Sequence, residues 1–113
     1  MLTIAPTETI DWLLEPDNPA VAVLTRRDLL AEKDDAATEA LWARRNEYPP
    51  VAAILSAQLP DGTWLRPSLD YKKYQGSLWQ VHLLGELWTD GSDERVRRAA
   101  DYAFSRQLED GSW

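Results

Sequence analysis

The sequence predicts an all-α protein built of αα-hairpin repeats, and three observations support this fold class. Residues 58–64 return as residues 107–113, with five of the seven positions identical and a spacing of 49 residues. A period of this size is typical of helical repeats, whose units bury their apolar faces against one another. Elsewhere, apolar residues recur with helical spacing. No segment of useful length alternates apolar and polar residues with the period of two that a half-buried strand requires. The 113 residues are few enough that we expect at most one domain.

Helix start and stop signals define the individual elements. Thr7 and the Asn18-Pro19 pair are predicted to begin the first two helices, and Asp34 or Asp35 the third. Pro49-Pro50 restarts the chain, while the proline and glycine residues between positions 59 and 75 indicate a long loop. We expect the helices at about residues 7–14, 19–31, 35–46, 50–58, 76–88 and 93–106.

The last two predicted helices differ in the distribution of their apolar residues. In residues 78–88 these residues point in almost every direction, so we expect that helix to be buried on most sides. The following helix has one apolar stripe, as expected of a surface helix: Val96, Ala99, Ala100, Ala103 and Phe104. An inner and an outer helix joined by a short turn make an αα-hairpin. Residues 1–48 fit this scheme less well and are interpreted as atypical N-terminal helices, followed by repeats in residues 49–113.

Composition and charge exclude several functional classes. The net charge is −7, which disfavours a nucleic-acid partner because such a partner requires a basic surface. Cysteine is absent, so we expect no disulfide, thiol nucleophile or thiolate metal site. The first residues lack the pattern of a signal peptide, and the longest apolar run, Val51 to Leu55, is too short to cross a membrane. We therefore expect a cytoplasmic protein with no membrane span.

The second copy of the repeated segment, together with the helix before it, carries a recognisable pattern. A basic residue, a small one, an aromatic one, then Gln and Gly-x-Trp stand in order: Arg98, Ala99, Tyr102, Gln107, Gly111 and Trp113. This pattern resembles the QW repeat of the terpenoid cyclase and protein prenyltransferase superfamily. Ala103 departs from it, since the family prefers a larger aliphatic residue there. The first copy keeps only the tail of the motif, Gln58, Gly62 and Trp64.

The resemblance covers residues 49–113 and extends to the predicted inner helix. Residues 74–79 with residues 83–87 are similar to the inner helix of small bacterial prenyltransferase-repeat proteins. The resemblance implies a segment of an α/α toroid, in which inner helices line a central cavity. A full ring of this family needs several more hairpins than 113 residues supply. We therefore expect either that the chain is part of a longer repeat protein or that it forms a homo-oligomer.

The residue types of the motif suit a structural role. A glutamine amide can donate to carbonyl groups at a helix end and accept from N–H groups at the next helix start. Gly62 and Gly111 supply a positive φ, and Asp61 and Asp110 favour a tight turn through their side chains. Trp64 and Trp113 are expected to cover the glutamine and exclude water. We interpret the motif as a staple between neighbouring hairpins and assign it no catalytic residue.

A catalytic apparatus is not evident from the sequence. The Asp-x-Asp-Asp motif of the cyclases has its nearest match in residues 32–35, where the first position is Glu, and we interpret this segment as a solvated turn. Prenyltransferases of the family bind zinc through Asp, Cys and His, whereas this chain has no Cys and one His. His82 is interpreted as a core histidine rather than a ligand. We expect no metal and no cofactor.

Three functional hypotheses remain open from the sequence. The first is a non-catalytic, structural segment of a terpenoid-cyclase-like repeat protein. The second is part of an isoprenoid cyclase or transferase, with Tyr74, Trp79 and His82 as walls of an apolar cavity for an isoprenoid-like ligand. The third is a helical-repeat module that binds a protein or peptide on its concave face.

Overall fold

The computed structural model describes residues 6–113, and the regular secondary structure of this part of the chain is entirely helical, with no β-strand. Short π-helical and 3₁₀ turns occupy Thr25–Leu29, Arg45–Glu47 and Pro67–Leu69. The α-helices of the described range are α1 (Thr7–Leu13), α2 (Pro19–Leu24), α3 (Ala36–Ala43), α4 (Pro49–Ser56), α5 (Ser77–Glu86) and α6 (Glu94–Ser105). The chain divides into two compact units between Tyr48 and Pro49.

The first unit contains α1, α2 and α3, and α2 packs against α3. Its core includes Ala22 and Val23, both fully buried. The indole ring of Trp42 has the guanidinium groups of Arg27 and Arg45 over it, at 4.7 and 4.1 Å from the ring centroid. Cation–π contacts of this kind attach long charged side chains to the surface of a small core.

The predicted start of α2 is confirmed, but its predicted end is wrong. Asn18 accepts a hydrogen bond from the backbone N–H of Val21, as an N-cap residue does. The α-helix ends at Leu24 rather than near Ala31, because a π-helical turn follows and Ala31 has a φ of +52°. Such a turn widens the helix locally and stops the i to i+4 pattern.

The cap predictions for the two other helices of this unit have different outcomes. Asp35 caps α3, since its carboxylate accepts from the backbone N–H of Thr38 at 2.7 Å. The predicted capping role of Thr7 is wrong, because Thr7 is already the first helical residue of α1. Pro6 occupies the cap position there, and no side chain caps the helix.

The second unit contains α4, α5 and α6, and α5 packs against both α4 and α6. Its buried apolar side chains come from all three helices: Val51, Leu55, Leu84, Ala99 and Ala103. The predicted αα-hairpin of α5 and α6 is therefore present, with the loop of residues 87–93 between the two helices. Asp93 caps α6 by accepting from the N–H of Arg95.

Two predictions about burial in this unit are wrong. Only Ser77, Gln80 and Leu84 of α5 are buried, and these lie on one face, whereas His82 is exposed. The helix is therefore not covered on most sides, and His82 is not a core histidine. Phe104 belongs to the apolar stripe of α6, yet 66% of it is exposed. Periodicity shows which residues share a face but not how far along the helix a neighbour covers that face.

Candidate functional site

The first repeated segment, residues 58–64, folds into a closed turn directly after α4. The backbone N–H of Leu59 donates to the carbonyl oxygen of Thr63 at 2.7 Å, and the N–H of Gly62 donates to the carbonyl of Leu59 at 3.0 Å. Asp61 accepts from both the backbone N–H and the hydroxyl of Thr63, at 3.0 and 2.6 Å. These bonds hold the pKa of the Asp61 carboxyl below its usual value, the hydroxyl contributing most. Gly62 has a φ of +90°, as the motif predicts.

The second segment, residues 107–113, repeats this turn bond for bond. The N–H of Leu108 donates to the carbonyl of Ser112 at 2.7 Å, and that of Gly111 donates to Leu108 at 2.9 Å. Asp110 accepts from the N–H and the hydroxyl of Ser112, which also lowers the pKa of its carboxyl. Gly111 has a φ of +89°. The seven-residue motif therefore encodes one local conformation, whichever helix precedes it.

Each tryptophan of the motif ties its turn back to the preceding helix. The indole Nε1 of Trp64 donates to the carbonyl oxygen of Ile54 at 2.7 Å. The indole Nε1 of Trp113 donates to the carbonyl of Ala103 at 2.5 Å. The acceptor stands ten residues before the tryptophan in both copies, near the end of α4 or α6. Each of these carbonyls also accepts a backbone N–H at the helix end, from Ala57 at 3.2 Å or from Arg106 at 3.1 Å, so the indole N–H is a second donor to the same oxygen.

The two glutamines differ in the partners of their side chains. The Nε2 of Gln58 donates to the carbonyl of Gly62 at 3.2 Å and to the carbonyl of Arg95 in the first turn of α6 at 2.8 Å. The Nε2 of Gln107 donates to Gly111 at 2.8 Å, and the part of the chain that the structure describes offers it no second carbonyl. Gln58 therefore joins its turn to a distant helix, and Gln107 joins only its own turn.

The expected bond from helix N–H groups to the glutamine oxygen is absent from the described residues. The Oε1 of Gln58 is buried and accepts no hydrogen bond there. Gly62 nevertheless lies tightly against α6, because a Cβ atom added to it would stand 2.9 Å from the carbonyl oxygen of Arg98. The first turn thus contacts the start of α6 through one amide hydrogen bond and through a close backbone approach that only glycine allows.

A buried carboxylate that the sequence did not predict lies in the same unit. Asp70 follows the 3₁₀ turn, and only 3% of its side chain is exposed. It accepts from the hydroxyl of Tyr102, which lies 2.8 and 2.9 Å from its two oxygens, and from the Nε of Arg106 at 3.1 Å. Tyr102 belongs to the repeat motif, but its partner stands in an irregular loop with no periodic pattern to reveal it. The cluster ties the loop before α5 to the end of α6.

Two of the three predicted wall residues, Trp79 and His82, line an open apolar groove. Tyr71, Leu78, Trp79 and His82 line a groove of about 320 Å³ on α5 and the loop before it. The ring of Trp79 is in edge contact with the rings of Tyr74 and His82, and the ring centroids lie 5.3 and 6.0 Å from that of Trp79. Tyr74 contributes to the aromatic cluster but does not line the groove, and Tyr71 lines it without having been predicted. Tyr71 and Tyr74 are both more than half exposed, so the groove is open to solvent.

Comparison with known proteins gives one partial similarity. Over 62 residues the chain is 36% identical to lanosterol synthase of Saccharomyces cerevisiae, and this stretch covers 53% of the chain. The chain resembles a terpenoid cyclase. The similar stretch spans 8% of the length of the yeast enzyme. No protein-family model and no solved structure matches the chain.

The acidic segment of this cyclase-like chain has the geometry of a solvated turn. Asp34 is ion-paired with Arg27, and the resulting hydrogen bond holds the pKa of its carboxyl below the usual value. Asp35 caps α3, and its bond with Thr38 likewise lowers the pKa of its carboxyl. An acid that protonates an olefin requires the opposite shift, toward the neutral form. The segment is exposed and suits helix capping rather than proton donation.

The described part of the chain, residues 6–113, has neither a cluster of metal-ligating side chains nor a membrane-spanning helix. No three His, Asp or Glu side chains gather there as metal ligands would. No helix there is long and apolar enough to cross a membrane. The features that stand out in this cyclase-like chain are therefore the two repeated turns, the Asp70 cluster and the aromatic groove.

Proposed function

We propose that this chain is a structural segment of a terpenoid-cyclase-like repeat protein. In this proposal residues 49–113 join neighbouring αα-hairpins of an α/α toroid, residues 1–48 are its atypical N-terminal helices, and the chemistry belongs to residues outside this segment. The observation that carries the proposal is the hydrogen bond from Gln58 to the carbonyl of Arg95, 37 residues away. Together with the close approach of Gly62 to Arg98, it attaches the end of one repeat to the outer helix of the next.

The partial similarity to lanosterol synthase supports this family assignment. The motif itself supports a structural role, because its side chains are occupied within the fold. Asp61 closes the turn, and the indole N–H of Trp64 donates to a helix-end carbonyl. Side chains engaged in this way are unsuited to bind or transform a substrate.

The test compares alanine substitutions at the two equivalent glutamines, of which Gln58 bonds to a distant helix and Gln107 bonds only within its own turn. Gln58→Ala loses the hydrogen bonds to Arg95 and to Gly62 in a partly buried contact, at a cost of about 0.5–1.5 kcal/mol for each. Gln107→Ala loses a bond inside an exposed turn and should cost less than about 0.5 kcal/mol. Thermal and urea unfolding followed by circular dichroism measures both. Equal stabilities of the two variants would contradict the structural role of the motif.

The aromatic groove supports a second candidate function, the binding of an apolar isoprenoid-like ligand. Its lining is almost wholly apolar, and the ring faces and edges of Trp79 and His82 could contact a hydrocarbon or a passing positive charge. As the wall of a larger cavity, the groove would contribute shape rather than acid–base chemistry.

Nuclear magnetic resonance of His82 tests this second candidate, because the chain has a single histidine. A C15 isoprenoid alcohol should shift the imidazole signals of the wild-type protein in a saturable way. The shift should disappear in Trp79→Ala and persist in Trp12→Ala, which removes an exposed indole of the first unit. A shift that persists in both variants, or no saturable shift in the wild type, would exclude the groove as a specific site.

A further inference from the structure

We propose that Asp70 is the positioning residue of the aromatic groove, and that its carboxylate controls how tightly the groove binds an apolar ligand. This inference rests on the second candidate function, the binding of an isoprenoid-like molecule, and names the residue that regulates that site. Asp70 does not line the groove itself. It acts through Tyr71, the next residue in the chain, and through the first turn of α5.

The width of the groove depends on a single loop residue. Leu78, Trp79 and His82 belong to α5, so the helix fixes their positions relative to one another. Within the described range, Tyr71 is the one lining residue that comes from the loop before α5. Tyr71 is 62% exposed and has few contacts of its own, so the path of the loop main chain decides where its ring lies.

The side chain of Asp70 fixes this main chain. Only 3% of the side chain is exposed, and its oxygens lie 2.8 and 2.9 Å from the Tyr102 hydroxyl and 3.1 Å from the Nε of Arg106. Tyr102 lies in the last turn of α6, and Arg106 directly follows that helix. Hydrogen bonds to a buried, ionised acceptor are of the stronger kind. The loop is thus attached to α6 directly beside Tyr71.

The main chain of Asp70 contacts the other side of the groove. Its carbonyl oxygen accepts from the N–H of Leu78 at 3.3 Å, in the first turn of α5, where N–H groups lack partners within the helix. Gly76 lies against the same carbonyl, since a Cβ atom added to Gly76 would stand 2.1 Å from that oxygen. Asp70 therefore contacts α6 through its side chain and the start of α5 through its backbone.

The helix α5 has a further attachment that does not involve Asp70. The hydroxyl of Ser77 accepts from the backbone N–H of Trp64 at 3.0 Å, which joins the start of α5 to the 58–64 turn. Loss of a partner from Asp70 should therefore loosen the loop rather than displace the helix. A loosened Tyr71 occupies its binding position for a smaller fraction of the time, and the apparent affinity of the groove falls by that fraction.

The test uses Tyr102→Phe, Tyr71→Ala and the double variant. Tyr102→Phe removes a hydrogen bond from Asp70 and leaves all groove residues in place, and Tyr71→Ala removes the loop wall of the groove. Asp93→Ala is the control for a general loss of stability, because it removes the cap at the other end of α6. A C15 isoprenoid alcohol is titrated against the imidazole signals of His82 under conditions where every variant is folded.

We expect Tyr102→Phe to weaken binding by about fivefold, because Tyr71 is then less often in position. Asp93→Ala should change the affinity by less than about twofold, since the groove and its loop keep their contacts. In the Tyr71→Ala background, Tyr102→Phe should have no further effect, because the residue through which Asp70 acts is gone. Without ligand, the amide hydrogen of Leu78 should exchange faster in Tyr102→Phe than in Asp93→Ala.

The failure of the ligand site and the failure of the positioning role are distinguishable. A wild-type chain without a saturable shift excludes the groove as a ligand site, and exchange at Leu78 then still reports whether the Asp70 carboxylate fixes the loop. Equal affinities of the wild type and Tyr102→Phe, or equal exchange at Leu78 in Tyr102→Phe and Asp93→Ala, would overturn the positioning role. The same loss of affinity from Tyr102→Phe with and without Tyr71 would also overturn it.

Discussion

The hydroxyl oxygen of Tyr102 lies 2.8 and 2.9 Å from the two carboxylate oxygens of Asp70, which stands 32 residues earlier in the chain. Asp70 is almost completely buried, and Arg106 supplies the positive charge beside it. Because a buried carboxylate is costly unless it is hydrogen-bonded and paired, we expect the loss of a partner from this cluster to destabilise the second unit. It joins the loop before the aromatic groove to the helix that carries the repeat motif.

Removal of the tyrosine hydroxyl should destabilise the protein. Tyr102→Phe keeps the ring but leaves the buried Asp70 carboxylate with Arg106 alone, so we expect a loss of about 1–3 kcal/mol in unfolding free energy. Urea unfolding followed by circular dichroism measures this loss. Tyr71→Phe serves as the matched control, because Tyr71 is more than half exposed. Equal stability of both variants would show that the cluster contributes nothing.

The same cluster should make stability fall at alkaline pH. Burial, and then the hydrogen bond to Asp70, raises the pKa of Tyr102 to about 12 from the ordinary 10.0. Since the unfolded chain releases this proton first, the contribution of Tyr102 is fully present below pH 10 and is lost as the pH rises to about 12. Stability measured across that interval should fall in the wild type. The fall should be smaller in Tyr102→Phe, and identical slopes would contradict the assignment.

Alanine at the two motif glycines should have unequal costs. Both residues have a φ near +90°, so each substitution carries backbone strain of about 1–2 kcal/mol. Gly62→Ala also forces a methyl group against the Arg98 backbone and should cost about 1–3 kcal/mol more than Gly111→Ala. Thermal unfolding of the two variants gives the difference. A larger loss at Gly111 would be inconsistent with the contact between Gly62 and α6.

The cap of α3 gives a prediction for the first unit. Asp35→Ala removes the acceptor for the Thr38 N–H and should lower the melting temperature. Asp35→Asn keeps an acceptor oxygen and should retain most of the stability, because asparagine is also a favourable N-cap residue. If Asp35→Asn melted at as low a temperature as Asp35→Ala, the charge of Asp35 rather than its capping hydrogen bond would be responsible for the stabilisation of α3.

The all-α class, the positions of α4 to α6 and the turn geometry of both motif copies follow from local sequence. Helix caps, prolines and a glycine with positive φ act over a few residues, so the chain specifies them wherever the segment lies. The predicted ends of the helices were less accurate. The π-helical turn after Leu24 and the positive φ of Ala31 end a helix that the apolar pattern alone would continue.

The candidate site could be predicted only in part. The motif identified Gln58 and Gln107 as equivalent, and nothing in the sequence distinguished them. The structure shows that Gln58 reaches Arg95, whereas Gln107 bonds only within its own turn. Asp70 was missed because its partners stand 32 and 36 residues later, in a helix whose face toward the loop depends on packing.

By itself, the sequence determined the helical class, the resemblance to terpenoid cyclases and the repeated turn. These depend on local conformational preferences and on a motif that can be read residue by residue. Only the tertiary structure decided that His82 and Phe104 are exposed, that Asp70 is buried, and that one of two nearly identical turns holds a helix. The physical reason is that burial and long-range hydrogen bonds depend on which surfaces meet, and that property belongs to the packed chain rather than to any of its segments.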